Sequence, residues 1–246
     1  EGPLARTVAD CALMLACESG QHPLDPLSSP RAPGELLRAA ANPKRPQRVA
    51  LSIDLGVAPA IEGEVAELVT RLGRTLEGAG CEVEQACPDL HDAEAIFRTL
   101  RGVAYIGNMR QLLQTARDRL KPEVIENAEF GARLTIDDIV AELVRRLARF
   151  FQKYDVLVCP ASLSPPIPVQ ERYLRELGGV ALGDYLGWLV MTTVISATGC
   201  PVLALPCGFT RGGLPVGVQV VGPMRSDAEL LSIGAFMEEL LAITPK

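Results

Sequence analysis

The chain predicts an α/β fold: a mixed β-sheet flanked by helices, in a single unit spanning residues 1–246. Three observations carry that expectation. Residues 48–86 read as strand, helix and strand, the make-up of a β-α-β unit with parallel pairing and a right-handed crossover. Residues 196–222, SATGCPVLALPCGFTRGGLPVGVQVVG, hold two short apolar runs joined by a Gly-rich turn. Apolar residues at helical spacing recur between and after these strands.

The elements follow in order. Thr7 is placed to cap a first helix carrying Val8, Leu13 and Leu15, with Asp10 near the positive end of its dipole. That helix should end near Gly20. Between residues 21 and 48, Pro23, Pro26, Pro30, Pro33, Pro43 and Pro46 mark a long surface loop with a brief helical turn around 35–41. His22 falls in this loop and reads as solvated. RVALSI at 48–53 is a strand. Residues 61–76 form an amphipathic helix with Val65, Leu68, Val69, Leu72 and Leu76 on one face, stopped by Gly78 and Gly80. Residues 81–86 are the second strand. The turn after the first strand, DLGVA, has no G-x-G-x-x-G, so the unit reads as scaffold and not as a nucleotide site.

Residues 92–116 form a long helical pattern with Gly102 and Gly107 as weak points, and 125–133 a further turn or two. TIDD at 135–138 resembles a capping box. The helix it opens carries Ile139, Val140, Leu143, Val144, Leu147, Phe150 and Phe151. Its Arg145, Arg146 and Arg149 are expected on a solvated face, the alternative being an anion site. YDVLVCP at 154–160 is a buried strand closed by Pro, and 161–169 is a loop. Residues 183–197 make a largely apolar helix holding the sole tryptophan, Trp188. Residues 202–205 are a strand closed by Pro206, Gly212 and Gly213 are the turn, and 217–221 the partner strand. Continuous apolar runs bounded by Gly and Pro suit strands covered on both faces. Ser226 and Glu229 match a capping box ahead of Leu230, Leu231, Ile233, Phe236, Met237 and Leu240.

Composition narrows the function. A net charge of −6, 4% aromatics and no basic run argue against a nucleic-acid or membrane-surface partner. No stretch reaches the ~18–20 apolar residues of a membrane helix. The chain opens on Glu1, Gly2 and Pro3 without Met or signal peptide, which reads as a cut or boundary. The seven cysteines are odd in number and form no C-x-x-C, so free buried thiols in a reducing cytoplasm are expected over disulfides or zinc.

Catalytic machinery is sparse. No G-x-S-x-G elbow, H-E-x-x-H or P-loop occurs. The two histidines, His22 and His91, lie in loop-like contexts and make a Ser/His/Asp triad improbable. The four lysines, Lys44, Lys121, Lys153 and Lys246, all lie outside apolar settings that would make them bases.

Three segments together carry a resemblance: GPLARTVAD at 2–10, the YD-apolar-P strand at 154–160, and T-G-x-P…P-x-G…G-L-P-V-G-x-Q-x-x-G ending at Gly222. With them the chain resembles the amidase signature family over residues 2–241. The resemblance implies the C-terminal portion of a larger amidase domain. Members hydrolyse a carboxamide to a carboxylate and ammonia or an amine, through a Ser nucleophile, a second Ser in cis-peptide geometry and a Lys base. No metal or organic cofactor is implied. All three catalytic residues precede the G-P-L-A-R motif, where this chain starts. None therefore maps onto it, Ser28, Ser29 and Ser196 included, and the chain alone is expected to be inactive. The same resemblance implies that the turn before residue 202 lines the acyl pocket, making Ser196, Thr198 and Cys200 candidate substrate contacts. Many members have Asn where this chain has Ser196. The alternative is that Gly199 and Pro201 only shape a strand entry while Cys200 packs inside. A small-molecule amide substrate and a homo-oligomer are the expected partners. Two other functions stay open: the glutaminase subunit of a tRNA-dependent amidotransferase, and a stand-alone non-catalytic binding or scaffold protein.

Overall fold

Thr7 opens helix α1 (Val8–Glu18), its Oγ1 accepting from the Asp10 backbone N–H at 3.1 Å. The structure, a computed structural model, describes residues 2–22, 24, 28, 32–134 and 142–243. Helix α2 (Pro33–Ala40) follows. Strand β1 (Arg48–Leu51), helix α3 (Gly63–Gly78) and strand β2 (Glu82–Gln85) form the expected unit, with β1 and β2 parallel from Arg48↔Glu82 to Leu51↔Gln85. Val65, Leu68, Val69, Leu72 and Leu76 of α3 are all buried, as the spacing requires.

Helices α4 (Ala93–Thr115) and α5 (Pro122–Gly131) come next. They touch backbone to backbone: a Cβ on Gly131 would stand 2.0 Å from the Gly102 carbonyl oxygen. Gly102, expected as a weak point, is a close-contact point. The capping box at 135–138, with Ile139 and Val140, lies outside the described residues. Helix α6 is Glu142–Phe150. Its Arg146 corrects the solvated-face expectation: the side chain is 10% exposed and ion-paired to Asp89 and Asp92. Those carboxylates come from the loop packed against α6, which the helix's own periodicity does not reveal. The same pairing occupies Arg146 and removes it from an anion site.

Strand β3 (Val156–Pro160) pairs parallel with β1. After a small hairpin, β4 (Glu176–Leu177) and β5 (Val180–Ala181), the chain enters two short helices, α7 (Tyr185–Trp188) and α8 (Val190–Ser196). The sequence pattern predicts one helix here. The Leu189 carbonyl accepts the N–H groups of Thr192 and Thr193 and the Thr192 hydroxyl, a competition that breaks regular helix. Strands β6 (Val202–Phe209) and β7 (Pro215–Val221) are antiparallel, and β7 pairs antiparallel with β3. The order β2-β1-β3-β7-β6 is a mixed sheet, as expected.

Pro206 does not end β6: the strand runs on to Phe209 through an irregularity between Pro206 and Gly208. Nor is β6 covered on both faces, since Val202, Ala204 and Pro206 are exposed. Among the described residues β6 has one neighbour, and an edge strand tolerates the missing proline N–H. Helix α9 (Asp227–Leu241) starts after Ser226, but the Ser226 hydroxyl donates to the Pro223 carbonyl instead of capping.

Two cores sandwich the sheet. Val156 and Val158 of β3 face α1, α2, α3 and α9, while Leu157 and Cys159 face α6 and α8. All seven cysteines are free thiols; Cys81, Cys159 and Cys207 are buried and Cys17 is exposed. Among the described residues, no helix is long and apolar enough to cross a membrane.

Candidate functional site

Strand β3 ends at Pro160, and the chain beyond it is held tightly. The Ala161 N–H donates to the Gly217 carbonyl at 3.0 Å, and the Leu163 carbonyl accepts from Glu62 N at 2.7 Å, just ahead of α3. Leu163 is fully buried and anchors the loop. Beneath it lies Gln219 of β7, 5% exposed. Its Nε2 donates to the Pro160 carbonyl at 3.2 Å and to the Met191 carbonyl at 3.0 Å. One side chain thus ties the end of β3 and the start of α8 to β7.

Helix α7 is held as firmly. The Asp184 carboxylate accepts from Leu186 N and Gly187 N, both at 3.0 Å, capping the helix. It also receives both Nη groups of Arg98 from α4, at 2.8 and 2.9 Å, and Arg98 in turn holds Glu94. This bidentate pair draws the Asp184 carboxyl below its ordinary range. Gly187 is obligatory, because a Cβ there would stand 1.8 Å from the Leu182 carbonyl oxygen. These contacts fix Trp188.

Between these elements, beyond the carboxyl end of β3, lies a cavity of about 200 Å³. Ser162, Ser164, Pro165 and Pro166 form one wall. Trp188 and the start of β7, Pro215 to Gly217, form the other. Carboxyl ends of parallel strands are where α/β sheets place their ligands. No lining residue is charged. Ser164 Oγ and Trp188 Nε1 are buried polar atoms without a hydrogen-bond partner among the described residues, and both residues line the cavity.

The sequence-derived candidates lie elsewhere. Ser196, Thr198 and Cys200 share one turn at the far end of β7, where Val202 pairs with Val221 and the Pro201 carbonyl accepts from Gly222 N. At ~3.4 Å per residue the two ends of β7 are about 20 Å apart. Ser196 is exposed and Cys200 half-buried. Thr198 is fully buried, and its Oγ1 donates to the Ile195 carbonyl at 2.6 Å and accepts from Cys200 N at 3.1 Å. Gly199 follows with φ +68°, the left-handed backbone that favours glycine. Ser164, Trp188 and Gln219 do not stand out as functional in the sequence. The signals that could have found them are the lone tryptophan, the S-x-S-P-P run after the third strand, and the Gln of G-x-Q.

The reactive groups are quiet. Burial pushes the Cys87 and Cys207 thiols up to about 11 and raises Cys159 further, away from thiolate nucleophiles. Lys153 is held protonated by Glu84 and Tyr154, its pKa raised. His91 is tied to Asp89 at 2.7 Å and faces Arg146. No cluster of three metal-ligating side chains occurs among the described residues.

Comparison with known proteins gives this arrangement a family. The amidase family matches residues 1–231. An acylamidase of Rhodococcus erythropolis is 29% identical over 245 residues, covering 96% of this chain and 51% of that protein. A glutamyl-tRNA(Gln) amidotransferase subunit of Moorella thermoacetica is 32% identical over 273 residues, covering 97% and 53%. Among solved structures, a bacterial aryl acylamidase of the amidase signature family superposes with a TM-score of 0.80 at 22% identity, over 97% of this chain and 52% of that one. The 6-aminohexanoate cyclic dimer hydrolase in complex with substrate gives 0.80 at 22%, over 98% and 55%; at this identity both show the fold. The chain spans about half the length of the curated relatives it matches. With the motifs at 2–10, 154–160 and 198–222 all inside or overlapping elements of the shared fold, the chain belongs to the amidase signature family.

Proposed function

We propose that this chain is the C-terminal part of an amide hydrolase that converts a carboxamide and water to a carboxylate and ammonia or an amine. The observation that carries the reading is the uncharged, prearranged cavity beyond the carboxyl end of β3 in a chain of the amidase family. In this proposal the chain supplies sheet and substrate wall, and residues outside it supply the nucleophile and base. The raised cysteines and the committed Lys153 support that division. The seven free thiols support a reducing, cytoplasmic setting. The candidate contacts are narrowed: Thr198 acts by holding its turn, while Ser196 and Cys200 present side chains to whatever meets that end of the sheet.

The test is ammonia or amine release from simple amides. The 246-residue chain alone is expected to match a heat-killed control, and the full-length gene product to turn over. Turnover by the chain alone, abolished by a point change within it, would falsify the division of labour. No turnover by the full-length product would overturn the hydrolase reading.

A second reading is the glutaminase component of an amidotransferase, favoured by the 32% identity to the Moorella thermoacetica protein. It predicts a glutamine preference and a second protein bound to it. A full-length product that purifies as a homo-oligomer without a second protein, and ignores glutamine, counts against it.

A further inference from the structure

Two consecutive residues, Asp184 and Tyr185, are gripped by two different helices. Arg98 of α4 gives both Nη groups to the Asp184 carboxylate, at 2.8 and 2.9 Å. Asn127 of α5, 9% exposed, gives its Nδ2 to the Tyr185 hydroxyl at 2.8 Å. Arg101 of α4 fixes that amide. Its Nε donates to Asn127 Oδ1 at 3.1 Å, and its guanidinium lies 5.9 Å from the centre of the Tyr185 ring. An arginine can only donate, so Oδ1 must face Arg101 and Nδ2 the hydroxyl.

Arg98 and Gly102 share one face of α4, a turn apart, as Asn127 and Gly131 do on α5. The close contact of the two glycines locks the helices together, so the two grips move as one. Where α7 faces them the space is not filled: a cavity of about 180 Å³ lies among Arg98, Asn127, Phe130, Asp184 and Tyr185. On this side α7 is held by polar side chains reaching across. Trp188 ends α7, and its N–H donates to the Asp184 carbonyl at 3.2 Å. Trp188 also lines the cavity beyond β3, so a displacement of Asp184 reaches that wall one turn later.

We propose that the α4–α5 pair positions the wall of the cavity beyond β3, with Arg98 and Asn127 as positioning residues that act through α7 on Trp188. The consequence for substrate rests on the amide-hydrolase reading: there the pair governs how tightly the amide is held, and the bond-breaking step lies with other groups.

Hydrogen exchange of the 246-residue chain, read peptide by peptide, tests the proposal. The Leu186 and Gly187 amides report directly, because the Asp184 carboxylate holds them. Arg98→Met is expected to speed exchange over residues 184–189 by about tenfold or more, the range of a lost charge-assisted hydrogen bond. It should also red-shift the emission of Trp188, the sole tryptophan. Asn127→Leu should speed the same segment by about threefold or more, as the loss of a neutral hydrogen bond does. Exchange in α3 and α9 should stay as it was. Arg117→Met breaks the exposed Arg117–Glu129 ion pair, which also involves α5, and should leave both readouts unchanged. In the full-length product, Arg98→Met should raise the amide KM severalfold and leave kcat nearly unchanged, as lost uniform binding does.

Unchanged exchange over 184–189 in both Arg98→Met and Asn127→Leu overturns the proposal. So does a rise shared equally by α3 and α9, which marks plain destabilisation, or an equal rise in Arg117→Met. A fall in kcat at constant KM overturns the role in holding substrate. A full-length product that turns over no amide sinks the hydrolase reading alone, and the exchange result still decides the positioning.

Discussion

Gln219 Nε2 donates to two carbonyls from two different segments, at 3.2 and 3.0 Å, in a position 5% exposed to solvent. Replacing it with Leu keeps much of the volume and strands the Pro160 and Met191 carbonyls. The expected loss is about 1–3 kcal/mol, read from urea unfolding, because a buried acceptor left unpaired forfeits its solvation. A second expectation concerns Glu84. Hydrogen bonds from Lys153 Nζ at 2.6 Å and Tyr154 OH at 2.7 Å draw its carboxyl down to about 2. The depressed pKa sets the sign. Its contribution is fully present above the ordinary carboxylate range near ~4.3 and is lost as pH falls through about 2. Glu84→Gln is therefore expected to flatten the acid branch of stability between those limits, measured as urea midpoints against pH. An unchanged acid branch would show that this exposed pair contributes nothing, as many surface pairs do. Neither role was legible in the sequence. A Gln inside an apolar strand signals a buried polar task, but its partners lie 28 and 59 residues away.

At the scale of elements, the contact between α4 and α5 depends on two glycines. A Cβ on Gly131 would lie 2.0 Å from the Gly102 carbonyl oxygen, and one on Gly102 would lie 3.0 Å from Gly131 Cα. Gly131→Ala is expected to push the helices apart, destabilising by about 1–3 kcal/mol in thermal or urea unfolding, as overpacking does. A neutral result would mean that the pair separates freely. Helices α1, α3 and α9 were legible because each has a clear start and a stop or a dominant buried face. The break at Leu189 was not. It comes from the Thr192 hydroxyl and the N–H groups of Thr192 and Thr193 converging on one carbonyl, and periodicity averages over such a competition. The exchange of partners by Ser226 belongs to the same class: the residue at the helix start was right, and the hydroxyl found the Pro223 carbonyl.

For the molecule as a whole, the two sheet edges differ. Strand β2 carries Glu82 and Glu84, and charge on an edge discourages pairing with another chain. Strand β6 reads VLALPCGF; Pro206 and the irregularity beside it interrupt its second half, while Val202 to Leu205 run in regular register. Val202 is 39% exposed and Phe209 36%. The 246-residue chain is expected to self-associate along β6, with a sedimentation coefficient that rises with concentration. Val202→Lys should lower that association. A chain that stays monomeric at all concentrations would overturn the expectation, and a variant that associates unchanged would place the contact elsewhere.

The family, the mixed sheet, the parallel β1–α3–β2 unit and the Thr7 cap could all be read from the residues in order. These are local or pattern-borne properties: period, turn chemistry and short motifs survive without knowledge of what lies opposite. The cavity beyond β3 could not be read that way. It lies at the other end of β7 from the Ser196–Cys200 turn, and folding brought Ser164 and Trp188 to its wall from different segments. Burial, unpaired donors and the absence of charge in a cavity wall are relations between segments distant in the chain. No single segment contains them, and packing creates them.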